Sequence, residues 1–322
     1  MRHLFVIDPI ERLDPEKDTT IAFLREADRR GHELAFCTID TLELGPAGRP
    51  RAEAIRVRTV DPPATGSWYE IGTARRAFLD EFDVVWMRKD PPFDMAFFYA
   101  THLLSMVAKG TLVVNDPLAL RDANEKLFAL RFPEVCPPAR VSRRIVELLT
   151  FQEEMGGEMI VKPLDGAGGE GIFHLKAGDR NTSAILEAAT AHESRYIMAQ
   201  RYLPEIRQGD KRVILVEGEA LGAVLRVPAE GESRANFHVG GQPAATEVDD
   251  RDREIAAAVG PELVRLGIVF AGIDVIGGWL TEVNVTSPTG LREIAHLGGP
   301  RLEIDVLDAV EARRKAGGEP AD

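Results

Sequence analysis

The chain has 322 residues, of which 44% are hydrophobic and 28% charged, and its formal net charge at pH 7 is -13. This length allows two or three domains with a large core, and the negative charge argues against nucleic acid or an anionic membrane surface as the main partner. The two cysteines, Cys37 and Cys136, exclude a disulfide framework and a cysteine-ligated zinc site and predict a reducing, cytoplasmic location. The sequence shows neither a signal peptide nor a run of 18 apolar residues that could span a membrane.

The first third of the chain alternates short apolar runs with helical patterns. Strands are predicted at residues 4–8, 33–39, 54–60, 84–88 and 111–115, and helices at 19–30 and 95–108. This alternation is typical of a parallel sheet with crossover helices, whose ligands collect at the carboxyl ends of the strands. Arg88 lies at such an end, where it could hold an anionic substrate or serve only as a turn residue.

Residues 116–132 are predicted to form one or two short helices that include Lys126. Taken alone, Lys126 would be an ordinary surface lysine. Pro133, Pro137 and Pro138 then interrupt the pattern, which favours a boundary to a second module.

A glycine-rich loop follows in the middle of the chain. The predicted strand 158–163 carries Lys162 near its end, and another strand, 172–176, comes after the loop. The loop glycines are Gly166, Gly168, Gly169 and Gly171. They match G-x-G-x-x-G, but a dinucleotide-binding loop would open a helix, so a Rossmann site is not predicted. Two interpretations remain, a hairpin tip whose backbone N–H groups cover phosphates and a plain glycine-rich turn. The adjacent lysine favours the first.

The segments after this loop predict a hinge, a second hairpin and a lid. Further helices are predicted at 182–192, 249–266 and 301–315, and further strands at 196–204, 210–216 and 220–227. The end of strand 196–204 could hold an adenine against main-chain atoms. Arg212 and Arg226 fall near the open end of the second hairpin. The polar segment 230–241 has the length and composition of a lid, and His238 within it is either a base or a solvated histidine.

Two apolar runs around Gly277–Gly278 predict a β-hairpin near the C-terminus. A two-residue loop would put Glu282 on the opposite face from Asp274. A loop of three or five residues would instead pair these two residues, with Asn284 on the same face opposite Gly272. We favour the second register because it leaves a continuous apolar face for the core. Two carboxylates and an amide oxygen suit Mg²⁺, but the same pattern also fits an ordinary solvated hairpin face.

Six segments, taken together and in order, resemble the ATP-grasp superfamily and closely resemble its bacterial glutathione synthetase family. They are Met87–Asp94, Arg121–Phe128, Val161–Gly169, Met198–Pro204, Gly209–Val213 and Thr281–Pro288. The resemblance covers nearly the whole chain. It implies an α/β fold, in which an N-terminal parallel-sheet (pre-ATP-grasp) domain is followed by a two-subdomain ATP-grasp α+β fold. The implied domains are 1–121, 122–204 with the glycine-rich loop, and 205–322 with the metal site and a mobile loop.

The same resemblance implies the roles of individual residues. ATP would be bound by Lys126, Lys162, Gly166, Gly168, Gly169, Gln200, Arg201, Tyr202, Leu203 and Asp210. Mg²⁺ or Mn²⁺ would be held by Asp274, Glu282 and Asn284, which supports the odd-length hairpin loop. The catalytic arginines would be Arg212, Arg226 and Arg234. The substrate would be bound by Arg88, Asn236, Ser287 and Thr289, beneath a mobile loop that includes residues 235–241.

For a member of that family, the expected reaction joins γ-glutamylcysteine and glycine to glutathione through an acyl phosphate made with ATP. Catalysis would consist of positioning and charge neutralisation, without a side-chain nucleophile. The alternatives are another ATP-grasp carboxylate–amine ligase and a non-catalytic ATP-binding protein of the same fold. The resemblance further implies a homotetramer with small-molecule partners, and neither nucleic acid nor membrane is expected to bind.

Overall fold

Three β-sheets with helices packed against them make up the computed structural model, which describes residues 1–60, 66–166, 168–229, 234–237 and 240–317. In these ranges the strands are β1 (Arg2–Ile7), β2 (Glu33–Thr38), β3 (Glu43–Leu44), β4 (Pro50–Thr59), β5 (Tyr69–Phe78), β6 (Val84–Met87), β7 (Leu112–Val114), β8 (Ala139–Ser142), β9 (Glu158–Pro163), β10 (Phe173–Lys176), β11 (Ile197–Arg201), β12 (Asp210–Val216), β13 (Glu219–Val227), β14 (Gln242–Ala245), β15 (Phe270–Ile276) and β16 (Trp279–Asn284). The α-helices are α1 (Thr19–Arg29), α2 (Met95–Leu104), α3 (Pro117–Asp122), α4 (Ile145–Glu154), α5 (Thr182–Ala189), α6 (Asp250–Arg265), α7 (Leu291–His296) and α8 (Leu302–Ala316).

The N-terminal sheet has a parallel centre and an antiparallel extension. β1 lies between β2 and β6, and β6 pairs with β7, all in parallel register. β4 pairs antiparallel with β2, and it carries β3 and β5 as further antiparallel neighbours. The predicted parallel sheet is therefore confirmed at its centre, whereas β5 lies outside every predicted strand. Residues 70–76 of β5 are exposed on both faces, so this strand lacks the apolar alternation that reveals a half-buried strand.

The helices of this first domain begin where the sequence predicts. Asp18 caps α1, since its carboxylate accepts a hydrogen bond from the Thr20 N–H at 2.6 Å. In the same way Asp94 caps α2 through the Phe97 N–H at 2.9 Å. The end of α2 differs from the prediction, because the helix stops at Leu104 instead of continuing to residue 108.

The central sheet is antiparallel and has its own hydrophobic core. Its strand order is β10-β9-β11-β8, and the glycine-rich loop joins β9 to β10. The buried apolar residues of this module form a separate cluster consisting of Leu148, Phe151, Met159, Val161, Leu175, Leu186, Ile197 and Ala199. The glycine-rich loop is thus a hairpin connection, as the sequence predicts, and it extends from a module with an independent core.

The C-terminal sheet is antiparallel in the order β14-β13-β12-β15-β16. It packs with the N-terminal sheet through two shared hydrophobic clusters, one of which contains Val85 and Val275 and the other Phe5 and Ile214. Because side chains alternate along a strand, the opposite face of this sheet is free to carry polar groups. Within the described ranges, none of the helices has the length and apolar character needed to cross a bilayer.

Candidate active site between the glycine-rich loop and the C-terminal hairpin

A β-bulge sets the register of the hairpin formed by β15 and β16. The residues that flank Gly277–Gly278 pair directly, so the loop has two residues and the predicted loop of three or five is wrong. The register then shifts around Thr281, and Asp274 lies opposite Glu282 as predicted. A bulge adds one residue to one strand of a pair, so both carboxylates reach the same face in spite of the short loop.

Asn284 lies opposite Gly272 on that face, which also agrees with the prediction. The glycine has a steric reason, because a Cβ at Gly272 would come within 2.8 Å of the Cδ of Arg212. On the other face, Leu280 pairs with Val275 and is fully buried in the core.

Two arginines hold the buried carboxylate of Asp274. Arg212 lies directly opposite it on β12 and donates to both oxygens, at 2.5 Å from Nε and 3.1 Å from Nη2. Arg226 Nη2 lies 3.0 Å from Oδ2 of the same carboxylate. Burial alone would raise the pKa of Asp274, but the two guanidinium groups outweigh burial and hold this pKa well below its usual range. Asp274 is therefore ionised at neutral pH.

Arg226 also binds Asp210, its cross-strand partner, with 2.5 Å between Nη2 and Oδ2. Burial raises the pKa of Asp210 to about 6, and the charge of Arg226 acts in the opposite direction. The Oδ1 atom of Asp210 has no hydrogen-bond partner in the part of the chain that the structure describes. Asp210, Arg226, Asp274 and Arg212 thus form one buried network across three adjacent strands.

Two lysines approach Glu282 from the other side. Its Oε1 lies 3.4 Å from Lys162 Nζ and 3.7 Å from Lys126 Nζ. Lys162 also donates to the carbonyl of Thr281 at 3.3 Å. Burial favours the neutral form of Glu282, but the positive charges of Lys126 and Lys162 outweigh it, so the pKa of Glu282 is below its usual value. Both lysines come from outside the C-terminal sheet, and they line one cleft with Asp274 and Glu282.

This cleft has a volume of about 820 Å³ and lies between the central and C-terminal sheets. All ten residues that the resemblance assigns to ATP contribute to its wall, namely Lys126, Lys162, Gly166, Gly168, Gly169, Gln200, Arg201, Tyr202, Leu203 and Asp210. Asp274, Glu282, Arg234 and Asn236 line it as well. The wall combines cationic side chains with apolar ones, such as Ile160 and Ile206.

A second cavity of about 1530 Å³ adjoins the first and shares Glu282, Asn236 and part of the glycine-rich loop with it. The predicted residues on its wall are Arg212, Arg226, Asn236, Glu282, Asn284, Ser287 and Thr289. Glu282 therefore stands between a cleft with the nucleotide candidates and a cavity with the substrate candidates.

Arg88 is not part of either wall. Its side chain is 5% exposed and donates to the Thr20 hydroxyl at 3.2 Å and the Pro288 carbonyl at 3.4 Å. The Ser287 hydroxyl donates to the Arg88 carbonyl at 3.3 Å. Arg88 thus contacts the segment that carries Ser287 and Thr289, and it reaches the cavity only through that segment.

The glycine-rich loop faces the segment 234–237 across the cleft. Arg234 Nη1 donates to the Gly169 carbonyl at 3.2 Å. Gly169 has a φ of +89°, and a Cβ there would lie 2.9 Å from Oδ1 of Asn236. The positive φ favours glycine at this position, and the close contact shows how near the loop lies to Asn236. The predicted lid of residues 230–241 lies partly, and His238 entirely, outside the described residues.

Comparison with known proteins identifies the family. Residues 1–121 match the model of the N-terminal domain of prokaryotic glutathione synthetase, and residues 125–299 match the model of its ATP-grasp domain. The chain belongs to the prokaryotic glutathione synthetase family. A glutathione synthetase from Gloeobacter violaceus is 46% identical over 98% of this chain and 98% of its own length. One from Pseudomonas syringae pv. tomato is 47% identical over 97% of each chain.

The fold agrees with this assignment. The crystal structure of a D-cycloserine synthetase superposes with a TM-score of 0.67 over 97% of this chain and 99% of its own, at 14% identity. At that identity the likeness concerns the fold alone. Together with the matched family models, it confirms the ATP-grasp architecture that the sequence predicts.

The donor set of this glutathione synthetase family member suits a hard divalent cation. Asp274 and Glu282 supply carboxylates and Asn284 an amide, all from facing positions of one hairpin. Mg²⁺ prefers such oxygen ligands and shares them with phosphates. The Asn284 Nδ2 lies 3.4 Å from Asp274 Oδ2, which leaves the amide oxygen available. The residues present therefore fit the cation that the family resemblance implies.

Sequence reasoning missed several parts of the cleft. Ile160 and Ile276 lie on its wall, each two residues from a predicted site residue on the same strand. Because side chains two apart share a face, this signal was present in the sequence. Glu125, which lines the larger cavity, was missed because nothing in the sequence places it beside Glu282.

Proposed function

We propose that this protein ligates γ-glutamylcysteine to glycine with ATP, releasing glutathione, ADP and phosphate. The observation that carries the proposal is Glu282, which lies between Lys126 and Lys162 at the junction of two cavities in a chain of this family. A carboxylate oxygen of the peptide attacks the γ-phosphorus, and the bond to the β–γ bridging oxygen breaks. The amine of glycine then attacks the acyl carbon, phosphate leaves, and the amine loses a proton.

The smaller cleft is proposed as the ATP site. Lys126 and Lys162 would neutralise phosphate charge, and the N–H groups of the glycine-rich loop would cover the phosphates. Residues 200–203, on β11 and just after it, would hold the adenine. Such a site catalyses mainly by positioning and by charge neutralisation, because phosphoryl transfer needs little covalent help from the protein.

Asp274, Glu282 and Asn284 are proposed to hold Mg²⁺ or Mn²⁺. When bound, the cation would neutralise the charge that develops on the β- and γ-phosphate oxygens. Arg212 and Arg226 already hold Asp274 in its ionised form, so this oxygen ligand is ready without a proton transfer.

The larger cavity is proposed as the site of the peptide and the amine. Arg212, Arg226 and Arg234 would stabilise the acyl phosphate, while Ser287, Thr289 and Asn236 contact the substrate. Because Arg88 is buried, its proposed contribution to substrate binding passes through the segment 287–289. Closure of the predicted mobile loop over this cavity would exclude water, which hydrolyses acyl phosphates.

Four finer assignments belong to the same proposal. The domains are taken as 1–121, 122–204 and 205–322, and the protein as a homotetramer. We place it in the cytoplasm, which the two buried, unpaired cysteines support. Its partners are taken to be small molecules, with neither nucleic acid nor membrane among them.

The deciding test measures ADP release from purified protein with ATP and Mg²⁺, with and without γ-glutamylcysteine and glycine, and detects glutathione by mass. We expect release to need both substrates, and Glu282→Gln to lower the rate by at least about 100-fold. Glu254→Gln, at an exposed position on α6, is the matched control and keeps full activity. ADP release that depends on another carboxylate and amine would favour a different ATP-grasp ligase. ATP binding without turnover would favour a non-catalytic ATP-binding protein.

A further inference from the structure

The tripeptide Asn124–Glu125–Lys126 connects the glycine-rich loop to the hairpin of β15 and β16. Asn124 Nδ2 donates to the Leu164 carbonyl at 2.9 Å, next to the loop. The Val283 N–H donates to the Glu125 carbonyl at 2.8 Å, and Val283 lies between two of the proposed metal ligands. The tripeptide thus contacts the segment before the glycine-rich loop through a side chain and the C-terminal sheet through its main chain.

The Lys126 ammonium lies among acceptors from these same elements. It donates to the Gly166 carbonyl at 2.7 Å and to Glu125 Oε1, and it lies 3.7 Å from Glu282 Oε1. Only 3% of its side chain is exposed. An ammonium has three protons to donate, so the direct contacts to Glu125 and Gly166 leave it one further donor.

Glu125 places a further carboxylate close to Glu282, which is electrostatically unfavourable. Its side chain is 20% exposed and lines the larger cavity close to Glu282. Burial and the charge of Glu282 both raise its pKa, so the surroundings disfavour its ionised form. In the described part of the chain, its side chain accepts a hydrogen bond from Lys126.

We propose that Glu125 is a positioning residue that holds the Lys126 ammonium against the glycine-rich loop and away from Glu282. Without Glu125, the nearest carboxylate for this buried ammonium is Glu282, and a full ion pair there would occupy an oxygen that the cation needs. Glu125 thereby keeps two groups available at once, a lysine for nucleotide phosphate and a carboxylate for the metal. The inference rests on the proposed nucleotide role of Lys126.

Binding measurements test it without depending on turnover. The dissociation constant of ADP with Mg²⁺ and the Mg²⁺ concentration for half-maximal binding are measured by calorimetry for the wild type, Glu125→Gln and Glu125→Asp. We expect Glu125→Gln to weaken ADP binding by at least about tenfold, as for the loss of a charge-assisted hydrogen bond, and to raise the Mg²⁺ requirement. Glu125→Asp keeps the charge and restores most of the affinity. Glu134→Gln, at an exposed position, leaves both quantities unchanged.

Kinetics separate positioning from a structural role. In Glu125→Gln we expect the KM for ATP to rise about tenfold, well beyond any change in the KM for γ-glutamylcysteine, while the melting temperature stays near the wild-type value. Unchanged ADP and Mg²⁺ binding would overturn the proposal, as would a uniform loss of affinity for all ligands together with a lower melting temperature. If the wild type binds ADP but forms no glutathione, the proposed function fails while the binding series still decides the role of Glu125.

Discussion

The side-chain amide of Asn115, at the end of β7, uses its full hydrogen-bonding capacity around Phe270, the first residue of β15. Its Nδ2 donates to the Phe270 carbonyl at 2.8 Å, and its Oδ1 accepts from the Phe270 N–H at 3.2 Å. The second proton goes to the Val285 carbonyl at 2.7 Å, and the Val269 N–H donates at 2.9 Å. One buried side chain thereby fixes the N-terminal sheet to β15 and to Val285, the residue just after β16.

Asn115→Asp is expected to lower the free energy of unfolding by about 3 kcal/mol or more, because it replaces two donors with acceptors that face buried carbonyls. Urea unfolding measures the change. Asn181→Asp, at the exposed start of α5, is the matched control and is expected within about 0.5 kcal/mol of wild type. If Asn115→Asp also stays within about 0.5 kcal/mol of wild type, the amide does not stabilise the packing of the hairpin.

The network around Arg226 predicts a non-additive pair of substitutions. Arg226→Met leaves Asp210 buried without its cation, and we expect it to lower the free energy of unfolding by about 3–5 kcal/mol. Adding Asp210→Asn removes the uncompensated charge, so the double variant is expected to be more stable than Arg226→Met. Urea unfolding of the four proteins gives the coupling free energy, and strictly additive effects would contradict the pairing.

His3 predicts a loss of stability in mild acid. It is fully buried in β1, and the Trp86 Nε1–H donates to its Nδ1 at 2.9 Å. Burial, followed by the neighbouring His32, lowers the pKa of His3 to about 3. Between the unfolded value of about 6.5 and this folded value, the unfolded chain binds a proton that the folded protein does not. The free energy of unfolding that this group contributes is therefore fully present above a pH of about 6.5 and decreases as the pH falls towards about 3.

His3→Gln keeps an acceptor for Trp86 and removes the titration. Urea unfolding at several pH values is expected to show that the wild type loses about 1.4 kcal/mol more per pH unit than this variant, well within the interval from 6 to 4. His192→Gln, at an exposed position, should follow the wild-type slope. Equal slopes for all three proteins would mean that His3 is not held neutral by the fold.

The candidate site shows which kinds of information the sequence contains. The pairing of Asp274 with Glu282 could be predicted from the need for one apolar face, but the loop length could not. A bulge at Thr281 gives the same pairing as a longer loop, and apolar alternation does not distinguish them. Asn115 could be placed at a strand end, yet its four partners lie more than 150 residues away, where local patterns have no information.

The hairpin that carries the glycine-rich loop could be predicted, and the ATP candidates could be proposed, because their residues lie in compact segments with recognisable neighbours. Glu125 could not, since its importance depends on a carbonyl of Gly166 and on the distance between Lys126 and Glu282. The strand β5 could not be found either, because its residues are exposed on both faces and therefore show no alternation. Local sequence predicts elements and their faces, whereas contacts between modules require the fold.

The two cysteines give a final prediction, which concerns thiol reactivity. Cys37 is 1% exposed and Cys136 is 5% exposed, and burial raises the pKa of each thiol to about 12. The Sγ of Cys136 also donates to the Ala129 carbonyl at 3.0 Å. Since the thiolate is the reactive form, a disulfide reagent at pH 8 should modify neither residue in the folded protein and both in denaturant.

Ser183→Cys, at an exposed position on α5, is expected to add one fast-reacting thiol to the folded protein and serves as the positive control. Rapid modification of the wild type under native conditions would show that the core around these cysteines opens far more readily than their burial indicates.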